Sequence, residues 1–334
     1  MSSNFWLNKK VAVTGGAGLI GSAFIKDIST LGAQVVVLDN LSRGSKDNLK
    51  GLDIRLEEID LSQRASLSAI TEIFKPCDIV VHLASVVGGI GVYTSRPWQV
   101  FNTMMDIDNN VFNAVIDAGI KNYFYASSSH IYPIELQLDI DSPPIREDQD
   151  FPANPELSYG FAKLVSEKNI IYRIKEKNDF NCAIARFIGI YGPGQEFGLD
   201  TGSVIPVFSY RAIKYPDVPF KIWGTGVETR SYCYIDDAID AMKLMIQKLD
   251  DTSLVGPYNV GKQERISISD IAEKIIKISG KDITVEYDTD KETLIWGQWS
   301  DCQKIYKELG WEAKTTFDEG LKKVYSDIQQ RLGS

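Results

Sequence analysis

Histidine is nearly missing from this sequence. His82 and His130 are the only two in 334 residues, and they are far apart. Cysteine is scarce too: Cys77, Cys182, Cys233 and Cys302 stand alone, with no C-x-x-C pair. That combination leaves no metal-ligand spacing, so no metal site is expected. Scattered cysteines also give no disulfide framework, and the default is reduced, buried thiols in a cytoplasmic enzyme. Basic charge is in deficit, with 36 Lys and Arg against 45 Asp and Glu and a formal net charge of -9. This argues against a nucleic-acid or anionic-membrane binder, but leaves room for an anionic small ligand in a local pocket. No apolar run reaches the roughly 18 residues of a membrane span. The N-terminal MSSNFWLNKK has no signal-peptide apolar region.

What is present is alternation. Lys10–Thr14, Gln34–Asp39, Ile54–Ile59, Cys77–Leu83, Asn122–Ser127 and Cys182–Ile190 read as strands. Between them Leu19–Leu31, Gln63–Phe74, Pro97–Ala118 and Leu157–Lys177 read as helices. Such a pattern predicts an α/β fold, with a doubly wound parallel sheet covered on both faces. The proline-rich stretch Ser142–Pro155 reads as a surface loop. Beyond about residue 190 the pieces shorten. Ser203–Lys214, Asp236–Leu249, Ser267–Ile278, Asp301–Leu309 and Phe317–Arg331 are helix candidates and Pro257–Val260 a strand, which suggests a smaller mixed α/β lobe.

The first strand runs into T-G-G-A-G-L-I-G at 14–21. Gly15, Gly18 and Gly21 let the turn be tight and let a pyrophosphate approach the amides at the helix start, around Leu19 and Ile20. Asp39, followed by Asn40, ends the next strand 18 residues after Gly21. A carboxylate there accepts from the adenosine ribose hydroxyls and repels a 2′-phosphate, so NAD is expected. Arg43 nearby keeps NADP open. Asp60-Leu61 follows the third strand, where it can reach adenine. Leu83, Ala84 and Ser85 end the fourth, at the carboxyl edge where ligands bind. His82, just before them, reads as structural.

Tyr159 and Lys163 are four apart on one helical face. An ammonium favours the phenolate of a neighbouring tyrosine. That phenolate can take a proton from a substrate hydroxyl while hydride leaves carbon, and a serine hydroxyl can orient it. The segment 125–133, Y-A-S-S-S-H-I-Y-P, supplies serines and one of the two histidines.

These motifs, with A-R-F-I-G-I-Y-G-P-G and W-G-T-G-V-E-T-R-S-Y-C-Y-I-D-D, come in order over about residues 9–330. In them the chain resembles the extended short-chain dehydrogenase/reductase family of nucleotide-sugar epimerases and dehydratases. The V-G-G-I-G at 87–91 points within it to the GDP-mannose 3,5-epimerase branch, with the GDP-fucose synthases next. The resemblance implies a Rossmann NAD-binding domain from residues 1–188 plus about 228–262. A substrate lobe would take about 189–227 plus 263–334. It implies Ser128, Tyr159 and Lys163 as catalytic residues, with the last two also touching the cofactor. His130 occupies the slot where relatives carry Thr, Glu or Cys according to the reaction. With a reference pKa near 6.5, an imidazole there can accept and donate a proton near neutral pH. Gly89, Ser128, Ser129, His130, Gly189, Ser203, Arg230 and Gln298 are the implied substrate contacts. Gly189, Ser203 and Gln298 stand where relatives carry Asn, Asn and Arg, and the 3,5-epimerases' catalytic Lys has no match near 198–205. A nucleotide-diphosphate sugar, with a GDP-sugar favoured, is the implied substrate. A homodimer through 97–118 and 157–177 is the implied assembly. An epimerase working through a 4-keto sugar is one reading. A 4-epimerase without C3/C5 chemistry, a 4,6-dehydratase and a non-enzymatic NAD-binding regulator are the others.

Overall fold

The strands Lys10–Thr14, Gln34–Asp39 and Ile79–His82 are largely apolar without alternation because each of their faces meets a different core. Val11 and Val13 pack in one core with Val35 and Val37, while Ala12 and Leu38 pack in another with Val80. A fully buried branched side chain of this kind contributes about 1.5–3 kcal/mol. The structure, a computed structural model, describes residues 5–88, 90–199, 202–290 and 295–333.

In chain order the first half comprises β1 (Lys10–Thr14), α1 (Leu19–Thr30), β2 (Gln34–Asp39), β3 (Ile54–Glu58), α2 (Leu67–Phe74) and β4 (Ile79–His82). Then come α3 (Ile90–Ser95), α4 (Pro97–Asp117), β5 (Asn122–Ser128), α5 (Ser158–Lys177) and β6 (Asn181–Phe187). The second half adds β7 (Ile190–Tyr191), α6 (Val204–Lys214), β8 (Phe220–Trp223), β9 (Thr229–Arg230), β10 (Cys233–Tyr234), α7 (Ile235–Lys248) and β11 (Leu254–Val260). It closes with β12 (Ile266–Ser267), α8 (Ile268–Ser279), β13 (Val285–Asp288), β14 (Gly297–Gln298), α9 (Gln303–Leu309) and α10 (Phe317–Arg331).

Seven strands form one parallel sheet in the order β11-β6-β5-β4-β1-β2-β3. Phe24 and Ile28 of α1 and Met242 and Met245 of α7 cover one face. Ile70 of α2, Val111 of α4 and Ile170 of α5 cover the other. This is the doubly wound Rossmann arrangement, with a smaller mixed lobe after it. The strand order reverses between β1 and β4, where a crevice opens at the carboxyl ends of the strands.

The sequence reading missed the small strands β8 to β10 and β12 to β14. Several are two-residue ladders, too short to show a period. It also misjudged Ser142–Pro155, which is not confined to the surface. Ile145 is buried and bridged to Ser300, and Asp150 is buried against Arg186. The reason is a fully buried guanidinium on β6 that needs partners. Arg186 Nη2 lies 2.7 Å from Glu167 Oε2 on α5 and 2.8 Å from Asp150 Oδ2, and its Nη1 donates to the Tyr132 hydroxyl at 3.1 Å. The loop supplies one of those anions, and the cluster fixes α5 against the sheet.

Candidate active site

The turn after β1 is built from residues that must lack side chains. Gly15 has φ +68, and a Cβ on it would lie 2.7 Å from Ala84 N. A Cβ on Gly21 would run into the Gly15 carbonyl. Gly18 is the N-cap of α1 with no side-chain cap, so the first amides of the helix, around Leu19 and Ile20, have no partner within the helix. Asp39 ends β2 and is buried above this turn. Its Oδ2 accepts from Ala17 N at 2.9 Å and its Oδ1 from Leu41 N at 2.8 Å. Two amides thus aim the carboxylate while leaving each oxygen a lone pair for a ribose hydroxyl. The cradle and this anion fit a dinucleotide with a free 2′-hydroxyl.

The flanking positions vary in fit. Asp60 accepts from Ser62 and Gln63, and these bonds outweigh burial and hold its pKa below the ordinary value. Leu61 is buried, and its carbonyl accepts from Asn110. Asn40 is exposed and caps its own loop through Ser42 N. His82 is fully buried between Thr14 and Asp108, a structural placement.

At the next strand end, β5 stops at Ser128 and a short 3-10 turn, Ser129–Ile131, follows. Ser128 Oγ accepts from His130 N at 3.2 Å, and Ser129 is buried. Helix α5 sits hard against this turn because residue 160 is glycine. A Cβ there would strike the His130 carbonyl. The close approach places the Tyr159 hydroxyl near Ser85 and Ser128, whose side chains lower its pKa. Burial raises the Tyr159 pKa, the two serines pull it down, and the charge of Asp108 pushes it up. The Tyr93 ring lies 5.2 Å from that of Tyr159 on one side, and the His130 ring lies 6.0 Å away on another. Lys163 is 1 % exposed, with Nζ 3.8 Å from Asp108 Oδ1 and 4.6 Å from the centre of the Tyr125 ring. Burial lowers its pKa, and Asp108 and Glu167 oppose that.

His130 does not titrate near neutrality as its residue type alone suggests. Burial, followed by the positive charge of Arg230, pushes it down to about 4. A neutral imidazole with that pKa accepts protons but holds few to donate at pH 7.

Arg230, on β9, pairs in register with Gln298 of β14. Its guanidinium donates to the carbonyls of Thr229 and Ile295, both at 2.9 Å. Burial lowers its pKa, while Tyr232, Glu228 and Glu156 raise it. Gln298 is buried, and its Nε2 has no hydrogen-bond partner among the described residues. A buried free donor beside a guanidinium suits an anionic ligand. Gly189 has φ +53, and a Cβ there would strike the Ser231 carbonyl, which is why a larger residue is excluded. Ser203 is exposed at the start of α6 and accepts from Gln195 rather than joining this cluster. Gly89 lies outside the described residues.

Four site residues escaped the sequence reading in these roles. By its place at the end of the fourth strand, Ser85 reads as a cofactor contact alone. Tyr93 sits in the G-I-G-V-Y segment with no periodic cue. Glu156 follows a proline three residues before Tyr159. Asp108 carried a legible signal, since it falls on the buried stripe of α4 with Met104, Val111 and Val115.

The NAD dependent epimerase/dehydratase family matches residues 11–261. A GDP-mannose 3,5-epimerase of Arabidopsis thaliana is 28% identical over 327 residues, covering 97% of this chain and 83% of that protein. A UDP-glucose 4-epimerase of Bacillus subtilis (strain 168) is 27% identical over 331 residues, covering 92% and 94%. The solved UDP-glucose 4-epimerase of Thermotoga maritima, with UDP-glucose, superposes with a TM-score of 0.86 at 24% identity, covering 97% of this chain and 99% of that one. At that identity the likeness speaks for the fold alone. With most of its length matched and a glycine cradle that fits the cofactor, the chain belongs to the NAD dependent epimerase/dehydratase family and uses NAD.

Proposed function

We propose that this protein is a nucleotide-sugar epimerase that works through a transient 4-keto sugar. The observation that carries the reading is that Ser85 and Ser128 lower the pKa of Tyr159, which lies one helical turn from the buried Lys163 on α5. NAD, when bound, accepts and returns hydride at C4. Tyr159 takes the C4 hydroxyl proton and later gives it back. Ser85 and Ser128 hold the phenol oxygen in line, and Lys163 favours the phenolate.

The ketone acidifies the neighbouring C3–H and C5–H bonds, and we assign the base that removes one of them to His130. Its low pKa keeps the ring neutral, and its ring faces Tyr159 at 6.0 Å. The reprotonating acid is then a different group. Glu156 is a candidate, since burial raises its pKa and outweighs the opposing charge of Arg230. Arg230 and Gln298 are read as the diphosphate contacts. A GDP-sugar is favoured, because a 3,5-epimerase of GDP-mannose matches over nearly the whole chain.

Residues 1–188 plus about 228–262 are read as the NAD-binding domain. Residues 189–227 plus 263–334 are read as the substrate lobe. We also propose a homodimer through α4 and α5, which leave Trp98, Phe161, Val165 and Tyr172 exposed.

The test uses GDP-mannose in deuterated water. Wild type should place deuterium on sugar carbon. His130→Gln should still reduce NAD but lose that label. Product without carbon-bound deuterium would make the protein a simple 4-epimerase.

A further inference from the structure

A chain of buried polar groups joins the glycine turn to Lys163. Asp108, on α4 and 3 % exposed, is its centre. His82 Nε2 lies 3.0 Å from Asp108 Oδ1, and the Tyr125 hydroxyl donates to Oδ2 at 2.6 Å. Lys163 Nζ is 3.8 Å from Oδ1. Across the imidazole, His82 Nδ1 lies 2.6 Å from Thr14 Oγ1, which also accepts from Ala84 N at 3.3 Å.

One charge sets the direction of every bond. A carboxylate only accepts, so His82 carries its proton on Nε2. Burial lowers the His82 pKa and keeps the ring neutral. Nδ1 therefore accepts from the Thr14 hydroxyl, whose oxygen takes the Ala84 amide. Thr14 immediately precedes Gly15, and Ala84 is the residue Gly15 packs against. The anion facing Lys163 thus also orients the floor of the dinucleotide turn.

We propose that Asp108 is a positioning residue, the buried counter-ion that keeps Lys163 an ammonium and couples it through His82 and Thr14 to the dinucleotide turn. This rests on reading Tyr159 and Lys163 as the catalytic pair. Several other titratable groups face the same region. Tyr159 and Glu167 come from α5, His82 from β4, Tyr123 and Tyr125 from β5, and Arg186 and Cys182 from β6. Glu167 is already engaged by Arg186 at 2.7 Å. Burial holds the phenols of Tyr123 and Tyr125 and the thiol of Cys182 neutral, well above their ordinary values. Glu167 acts on Lys163 less strongly than Asp108, which among the described residues is the carboxylate paired with it. Deleting a negative charge lowers the pKa of every neighbour, so Lys163 and Tyr159 must move down together.

The test is an NMR titration of NAD-loaded enzyme carrying isotope-labelled lysine Cε, with Lys163→Met identifying the signal. In Asp108→Asn the Lys163 midpoint should fall by about one to three pH units. An unmoved midpoint overturns the proposal, because a structural aspartate would lower the melting temperature without shifting the titration. If Asp108→Asn does not fold, Tyr125→Phe removes one hydrogen bond from the carboxylate and concentrates its charge. The midpoint must then rise, and a midpoint that stays or falls also overturns the proposal. Failure of wild type to reduce NAD with sugars would count against the catalytic pair and leave this titration as it is.

Discussion

Ser85, just past the end of β4, lowers the pKa of Tyr159. With Ser128 at the end of β5, two hydroxyls from neighbouring strands converge on one phenol from α5. Both side chains oppose a pKa rise that burial drives. Burial still leaves the Tyr159 phenol above its ordinary value, so its action as a base calls for a positive charge nearby.

Removing one of these hydroxyls should therefore slow C4 oxidation and move its pH profile. In Ser85→Ala we expect NADH formation to fall about fivefold, from about 1 kcal/mol of lost polar interaction. The acidic limb should shift to higher pH, because a bond that lowered the Tyr159 pKa is gone. Stopped-flow measurement across pH checks both. A profile that keeps its position would show that Ser85 does not tune the phenol.

Only two histidines exist to be titrated, and both are depressed. Burial lowers His82, and burial with Arg230 brings His130 to about 4. Histidine NMR should show no resonance titrating between about pH 6 and 7, the range of an unperturbed imidazole. His130, identified by its loss in His130→Gln, should titrate near 4. Because its folded pKa is depressed, its contribution to stability is present above the unfolded value and lost as pH falls toward 4.

The buried cluster at Arg186 makes a stability prediction. Glu167 and Arg186 are both fully buried, 2.7 Å apart. Glu167→Gln leaves the guanidinium with less compensation and should destabilise by about 3–5 kcal/mol. Urea denaturation measures it. A loss under about 1 kcal/mol would mean that Asp150 and Tyr132 suffice.

The exposed apolar residues of α4 and α5 bear on assembly. Light scattering at micromolar concentration should give the mass of a dimer, and Phe161→Glu with Val165→Glu should give a monomer. A monomeric wild type would contradict the proposed interface.

The sheet was legible in the sequence because each strand carries its own signal, from the valines of β1 and β2 to the glycines that turn β1 into α1. So was the Tyr159–Lys163 pair, whose spacing is a property of one helix. The rest depends on contacts between distant segments. Asp108 and Lys163 are brought together by the packing of α4 on α5. The depressed pKa of His130 comes from burial and from Arg230, on a strand of the other half. The buried role of Asp150 appears only once Arg186 is known to need an anion.

The central claim is that Tyr159 removes a sugar hydroxyl proton as C4 is oxidised. Its most direct test is rapid mixing of NAD-loaded enzyme with GDP-, UDP-, dTDP- and CDP-sugars while following NADH absorbance. The account predicts a transient NADH signal with at least one of them, decaying as the epimer forms. In Tyr159→Phe that signal should be slowed by about 10²–10⁴-fold. NADH formation by Tyr159→Phe at the wild-type rate would contradict it.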